Sequence, residues 1–445
     1  MLHVRHGADH GFGVGADILL PMGLAANQSQ FQLDGGARLL TTELPDRASA
    51  SLVLMFGVGS RFESDRIAGS SHFIEHLMFK GTPTHPTAKE IAEAIEGVGG
   101  VMNAATDKEV TTYWTRVPAD KLELASNVLF DIVTNSQLAP DDVERERSVI
   151  LEELKMYLDQ PQDHVHSLFE ETMWPGHPLG RDIIGTTESV SSTGRGDLVD
   201  YMHEHYSASN LVIGVAGAIR AEEAKQTIQA RLSLPLGRAA GKVDPPAAPA
   251  APSVHLLNQK TEQAHICLGT SGISYHDPDR HALDLLNCIL GEGMSSRLFL
   301  EIRESRGLAY DVHSFASKHR DAGYFAIYMG VDRKKAVEAT RAAIEEMRRL
   351  CREIVPDSEI TKAKEFTKGR LRLGLEGTNS MASWLCQQEL LMGKVKTIEE
   401  VIEVVEALTA EQLREVARRV FDNPLQMAVI GPFASDSGFR AAVSS

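Results

Sequence analysis

The pattern of hydrophobic and polar positions alternates along the chain between two periods. Runs with a two-residue period, or with a short continuous apolar stretch, predict strands, and runs with a period of three to four residues predict helices. In the first half this predicts strands over residues 38–43, 51–58 and 210–217, two more strands between 101 and 117, and helices over residues 69–78, 88–98, 121–133, 141–158, 197–205 and 221–232.

A proline- and alanine-rich stretch, residues 237–252, divides the chain nearly in half and predicts a semi-extended linker. After it, a strand over 265–270, a helix over 277–290 and a closing strand over 425–431 repeat the order of the first half. An internal duplication explains this repeat. We therefore expect an α+β fold of two homologous sandwich domains, each an antiparallel-rich sheet packed with helices. The predicted parts are an N-terminal extension (1–29), an N-terminal domain (30–236), the linker (237–253) and a degenerate C-terminal repeat (254–445).

Composition narrows the class of protein. The chain has 445 residues, of which 43% are hydrophobic and 24% charged, as in ordinary globular domains. The formal net charge of −16 argues against nucleic acid or an anionic membrane as a partner. The sequence has no apolar run long enough to span a membrane. The short apolar run at 18–24 has no basic segment before it, which favours a cytoplasmic protein over a secreted one.

The four cysteines are widely spaced and form no C-x-x-C pair. They stand at positions 267, 288, 351 and 386, most of them within apolar patterns. This is typical of buried free thiols in a reducing compartment and not of a zinc site.

The predicted helix over 69–78 carries the pattern H-x-x-E-H, formed by His72, Glu75 and His76. Residues four apart lie on one face of a helix, so the two imidazoles can bind one Zn²⁺. Glu75 projects near the same ion, where a carboxylate can act on a water molecule. The alternative is an amphipathic helix with two partly exposed histidines.

The predicted duplication offers an internal control for this helix. With Gly81 set against Gly291, the three polar positions fall on Ala282, Leu285 and Leu286. Apolar residues in all three places would mean that the helix folds without His, Glu and His. This favours a metal-binding role for the polar set in the first copy.

A catalytic zinc site usually has a third protein ligand. The predicted helix over 141–158 offers four glutamates, Glu144, Glu146, Glu152 and Glu153. Glu146 and Glu153 are seven residues apart and share a face. Periodicity alone does not choose between Glu152 and Glu153. The alternative to a metal-binding role is that these glutamates form a solvated, charged face of a surface helix.

The two motifs together resemble one family. His72-x-x-Glu75-His76, followed by Glu146-Arg-x-Val-Ile-x-x-Glu153, is similar to the pitrilysin family of zinc peptidases, and most of all to the mitochondrial processing peptidase β subunit and its bacterial relatives. The resemblance implies that Glu153 is the third zinc ligand. It also implies that Glu146 orients one of the ligand side chains without binding the metal itself. The resemblance further implies one Zn²⁺ per chain.

Further positions extend the resemblance. Residues 99–106 resemble the substrate strand of the family, which implies that Asn103, Ala104 and Ala105 contact the peptide. Arg303 and Tyr310 match an R-x6-Y pair that contacts the substrate backbone and the transition-state oxygen in relatives. The implied function is a zinc metalloendopeptidase for extended or unfolded peptides, with Glu75 as general base.

The resemblance leaves the assembly and two other functions open. Relatives with chains of this length pair two chains, which implies a homodimer or a heterodimer with an inactive homologue. One alternative function is a non-catalytic structural or interaction subunit, and another is a different zinc hydrolase on the same scaffold.

Overall fold

The computed structural model describes residue 25 and residues 27–235 and 241–444. The apolar run at 18–24, and with it most of the predicted N-terminal extension, lies outside the described residues. The first strand begins at Gln28, so the last two residues of the predicted extension belong to the first sheet. The first strand of the second half begins at Ser253, the last residue of the predicted linker.

The first half forms a six-stranded sheet with helices around it. Its strands are β1 (Gln28–Gln32), β2 (Arg38–Glu43), β3 (Ser49–Phe56), β4 (Val101–Thr106), β5 (Thr111–Pro118) and β6 (Leu211–Gly217), and its helices are α1 (Ser70–Met78), α2 (Ala88–Glu96), α3 (Leu122–Asn135), α4 (Pro140–Leu158), α5 (Pro161–Met173), α6 (Thr187–Ser192), α7 (Arg195–His205) and α8 (Ala221–Gln229). The strand order is β1-β2-β6-β3-β5-β4, which leaves β4 at one edge.

The second half forms a five-stranded sheet. Its strands are β7 (Ser253–Asn258), β8 (Gln263–Ser271), β9 (Ala309–Lys318), β10 (Gly323–Asp332) and β11 (Gln426–Gly431), and its helices are α9 (Arg280–Gly291), α10 (Ala336–Arg352), α11 (Asp357–Gly374), α12 (Thr378–Gln387), α13 (Ile398–Ala407), α14 (Ala410–Phe421) and α15 (Ser437–Val443). Two π-helical segments cover Phe299–Ser305 and Gln388–Met392.

The two sheets share one topology. The order β7-β11-β8-β10-β9 repeats β2-β6-β3-β5-β4, with β1 as an addition at the edge of the first sheet. In each sheet the strand that closes the repeat pairs in parallel with one neighbour and antiparallel with the other. The predicted α+β fold with two homologous sheet-and-helix units is confirmed.

Helices of the same half cover one face of each sheet, and a helix from the other half of the chain covers the opposite face. Helix α5 packs on the second sheet and α12 packs on the first. The layer under α5 contains Val165, Phe169 and Met173 of the helix and Cys267, Ala326 and Ala428 of the second sheet. The layer under α12 contains Ala382, Leu385 and Cys386 of the helix and Val53 and Val212 of the first sheet. Where α12 crosses β6, a Cβ at Gly214 would lie 2.6 Å from the Ala382 carbonyl oxygen, so the close approach requires glycine.

Buried charges join the two halves beside these exchanged helices. Arg61, which is 2% exposed, donates to Glu109 at 2.7 Å and to both carboxylate oxygens of Asp321 at 2.7 Å. The same guanidinium donates to the Val243 carbonyl oxygen of the linker at 3.3 Å. One arginine therefore ties the first sheet, the linker and the β9–β10 turn together.

Candidate metal centre

Helix α1 is held at its start by a buried carboxylate. Glu63 accepts hydrogen bonds from the backbone nitrogens of Gly69 at 2.7 Å and Ser71 at 2.6 Å. A negative charge at this end also complements the helix dipole. Burial raises the pKa of Glu63 to about 7, although the bonds from Ser71 and Gly69 oppose the shift. Glu63 was not among the predicted site residues, and it fixes the position from which α1 presents its histidines.

The structure brings the three predicted ligands together where α1 meets α4. The Nε2 atoms of His72 and His76 lie 4.0 Å and 3.6 Å from Glu153 Oε2. One donor atom from each side chain lies within 4.8 Å of the others, and no other group of three in the described residues meets this spacing. Glu152 instead pairs with Lys155 at 2.7 Å, with its side chain 73% exposed. The geometry therefore favours Glu153 over Glu152.

This donor set fits zinc. Tetrahedral Zn²⁺ with bonds of about 2.0–2.2 Å places its ligand atoms roughly 3.3–3.6 Å apart, which is close to the 3.6 Å and 4.0 Å that separate the two histidines from Glu153. Burial, with a smaller effect of His76, lowers the pKa of His72 to about 4, so the imidazole is neutral and its lone pair can bind a metal. Two histidines and one carboxylate also leave the fourth position of a catalytic zinc open.

The imidazole of His76 is oriented by a second carboxylate. His76 Nδ1 lies 3.2 Å from Glu146 Oε2, and Glu146 is only 4% exposed. The other carboxylate oxygen of Glu146 pairs with Lys80 Nζ at 2.7 Å. A histidine ligand commonly donates its second N–H to a carboxylate, which fixes the ring and its tautomer. By contrast, His72 Nδ1 is buried and has no hydrogen-bond partner in the described part of the chain.

Glu75 lies between the two histidines in sequence and bonds to the first sheet. Its Oε2 accepts a hydrogen bond of 2.5 Å from Thr106 Oγ1, at the end of β4. Burial raises the pKa of Glu75, and the bond from Thr106 opposes the rise. A carboxylate with a raised pKa is a stronger proton acceptor than a solvated one.

The second copy of the motif helix differs from the sequence prediction. When Ser70 is set against Ala282, all six buried positions of α1 fall on buried positions of α9. In this register His72, Glu75 and His76 correspond to Asp284, Asn287 and Cys288. The prediction of Ala282, Leu285 and Leu286 was wrong, because the two glycines are not equivalent. Gly81 lies beyond the last residue of α1, Met78, whereas Gly291 is itself the last residue of α9.

The third ligand has a counterpart that cannot bind a metal. The buried positions Val143 and Glu146 of α4 correspond to Ile360 and Ala363 of α11. In this register the residue equivalent to Glu153 is Arg370. Arg370 forms an ion pair with Glu292. The conclusion of the internal comparison therefore holds on different residues: the second copy folds without the metal-binding set.

The predicted peptide contacts lie on an open strand edge. Among the described strands β4 pairs with β5 alone, so its other edge is open to pairing with an extended peptide. Asn103 and Ala105 are exposed and Ala104 is turned inward. The Asn103 side chain accepts a hydrogen bond of 2.8 Å from the Ala104 nitrogen.

The predicted pair in the second half stands close together at the surface. The Arg303 guanidinium lies 5.0 Å from the ring centroid of Tyr310 and 4.9 Å from that of Phe299. Tyr310 is 74% exposed. In the described residues no hydrogen bond, ion pair or ring contact joins this pair to the histidines, Glu75 or Glu153. One chain therefore does not bring the two predicted parts of the site into contact.

Comparison with known proteins places the chain in a family. Residues 38–187 match the model described as insulinase, peptidase family M16, and residues 193–366 match the M16 peptidase inactive domain. The chain belongs to the M16 peptidase family. The resemblance to the pitrilysin family is confirmed, whereas the nearer likeness to a processing peptidase β subunit stays a prediction. The match of an inactive domain to the second half agrees with the absence of a second three-ligand cluster among the described residues.

M16 relatives cover nearly the whole chain. A Streptomyces coelicolor protein named an uncharacterized zinc protease is 36% identical over 92% of this chain and 90% of its own length. A Bacillus subtilis protein with the same description is 37% identical, over 91% and 98%. A crystal structure of a protease from Helicobacter pylori shares the fold, with a TM-score of 0.85, 21% identity, and coverage of 91% and 99%. In the described residues no helix is both long and apolar enough to cross a membrane.

Proposed function

We propose that this M16 protein is a zinc-dependent endopeptidase that hydrolyses extended or unfolded peptides. The observation that carries the proposal is the convergence of His72, His76 and Glu153 beside Glu75. Among the described residues, this is the one place where a zinc-binding set and a partly buried carboxylate base meet. The names of the curated relatives also support zinc-dependent proteolysis.

Each residue has a separate role in this proposal. His72, His76 and Glu153 would hold the ion, and Glu146 would keep the His76 ring in place. Bound zinc would supply Lewis acidity, which polarises a carbonyl group and lowers the pKa of water. Glu75 Oε1 would accept a proton from the attacking water and then deliver it to the nitrogen of the leaving amine.

The edge strand supports an extended substrate. A peptide that pairs with β4 would gain main-chain hydrogen bonds that do not depend on its sequence. It would run past Asn103 and Ala105 toward Thr106, whose hydroxyl contacts Glu75. Such pairing requires an extended backbone, so folded domains should resist cleavage.

We further propose that a second copy of the chain completes the site. Arg303 and Tyr310 are predicted to contact the substrate backbone and the transition-state oxygen, and a stabilising donor of this kind is typically worth about 3 kcal/mol of barrier. The exposure of Tyr310 leaves it available to a partner. A heterodimer with an inactive homologue would serve the same purpose. Mixing inactive Glu75→Gln chains with inactive Tyr310→Phe chains should restore part of the activity if the two parts come from different copies.

Hydrolysis of an unstructured, internally quenched peptide tests the function. We expect zinc-loaded protein to cleave it, a chelator to stop cleavage, and added zinc to restore it. Glu75→Gln should keep zinc and lose nearly all turnover. Glu153→Gln should lose zinc, whereas the matched variant Glu152→Gln should retain both zinc and activity.

The outcomes separate the alternatives. A non-catalytic subunit would hold zinc, or none, without cleaving any peptide. A different zinc hydrolase would leave peptides intact and act on another class of substrate. The substitution Glu75→Gln would abolish that other activity. Normal peptide cleavage by Glu75→Gln would reject the mechanism.

A further inference from the structure

Thr106 makes an unusual link between the sheet and the candidate base. Its Oγ1 lies 2.5 Å from Glu75 Oε2 and 3.5 Å from the Ser71 carbonyl oxygen. In the described part of the chain, Thr106 is the one residue that hydrogen-bonds the Glu75 carboxylate. The hydroxyl therefore holds one oxygen of the carboxylate, Oε2.

The position of this hydroxyl is set by the sheet. Thr106 is the last residue of β4 and pairs with Thr111 of β5, which in turn pairs with Phe56 in the centre of the sheet. The Thr111 hydroxyl is itself held by the Val58 carbonyl oxygen at 2.9 Å. Glu75 has three rotatable side-chain bonds, and contact with a group fixed in this way restricts its rotamers.

The duplicated sheet has a different residue at the position of this hydroxyl. Met55 opposes Val212 as Gly269 opposes Gln426, so Phe56 corresponds to Thr270. The pairings of Thr270 with Phe325 and of Phe325 with Ala316 then place Ala316 at the position of Thr106.

Ala316 has no hydrogen-bonding side chain and packs against the apolar core of the second half. Its neighbouring helix carries Asn287 at the position of Glu75. In the second copy Asn287 accepts a hydrogen bond of 2.7 Å from the Ser314 hydroxyl, which stands two residues before Ala316 on β9. A strand hydroxyl thus reaches this helix position in both copies, but only the first copy places a threonine at this site beside a carboxylate.

We propose that Thr106 is a positioning residue, which holds Glu75 Oε2 so that Oε1 is presented to the attacking water. This inference rests on the proposed peptidase function. β4 is also the proposed docking edge for the peptide. One strand would then set the position of the substrate backbone and of the base that acts on it.

Two substitutions of similar size test the role of the hydroxyl. Thr106→Val keeps the branched shape and the strand preference but removes the donor, whereas Thr106→Ser keeps the donor. A hydrogen bond to a charged group is worth enough that its loss should lower kcat about tenfold to a hundredfold. KM, zinc content and the unfolding midpoint should stay as in the wild type for both variants, and Thr106→Ser should retain most of the wild-type kcat.

Several results would overturn the inference. An unchanged kcat in Thr106→Val would show that the base needs no such support. A loss confined to KM would assign the residue to peptide docking, and a loss of zinc or of folding stability would make its role structural. An inactive, zinc-loaded wild-type protein would reject the proposed function itself, and is thereby distinguishable from these three results.

Discussion

His76 Nδ1 lies 3.2 Å from Glu146 Oε2, and this contact is one of those that link α1 to α4. The contact lies on the far side of the ring from Glu153, so the imidazole is held between two carboxylates. Lys80 pairs with the other oxygen of Glu146 and holds that buried carboxylate in place. The affinity of the site for zinc should therefore depend on a residue that does not touch the ion.

Glu146→Gln should weaken zinc binding by about tenfold to a hundredfold, because an uncharged amide orients the ligand ring less firmly. Competition with a chromophoric chelator measures this directly. Glu144→Gln is a matched control, since Glu144 pairs with Arg147 at the surface of the same helix. Equal affinities of the two variants would mean that Glu146 has no part in holding the ligand.

His319 predicts a loss of stability in acid. Burial, and then the charges of Lys108 and Arg61, lower the pKa of this imidazole to about 3, from about 6.5 in an unfolded chain. Between these two pH values the unfolded chain binds a proton that the folded chain does not. The contribution of His319 to the free energy of unfolding is therefore fully present above about pH 6.5, and it declines as the pH falls toward 3.

At pH 5 the penalty from His319 should reach roughly 2 kcal/mol, at about 1.4 kcal/mol per pH unit. His319→Gln should unfold in urea with a smaller difference between pH 7 and pH 5 than the wild-type protein. The exposed His203 provides a control variant, His203→Gln. If His319→Gln were as acid-sensitive as the wild type, the imidazole would have to be charged in the folded state.

Arg61 should be the most sensitive charged position at the junction of the two halves. Arg61→Met leaves Glu109 buried without its partner, which typically costs about 3–5 kcal/mol of unfolding free energy. Adding Glu109→Gln should recover part of the loss, because the unpaired charge is then gone. Arg66→Met, at an exposed pair with Asp197, should barely change the urea midpoint.

Local patterns predicted the parts of the site that are local in sequence. The spacing of His72 and His76 on one helix and the two strands between residues 101 and 117 are found in the structure. The choice of Glu153 over Glu152 came from the family resemblance, and the relative placement of α1 and α4 agrees with it. The role of Glu153 as a zinc ligand stays a prediction.

Three features could not be predicted because they depend on contacts between distant segments. Gly81 and Gly291 look equivalent in sequence, yet the burial of each helix shows that they are not. The bond from Thr106 to Glu75 depends on how β4 meets α1, which no spacing encodes. Helix α5, over Pro161–Met173, was not predicted, and an apolar helix face does not specify which sheet it will cover.

The exchange of α5 and α12 makes the two repeats mutually dependent. A break in the linker would not release two stable units, because each piece would carry the cover of the other piece's sheet. The exposed face would hold Tyr324 and Ala326 in one fragment and Val53 and Val212 in the other. The second repeat thus supports the fold of the first, whether or not it contributes to catalysis.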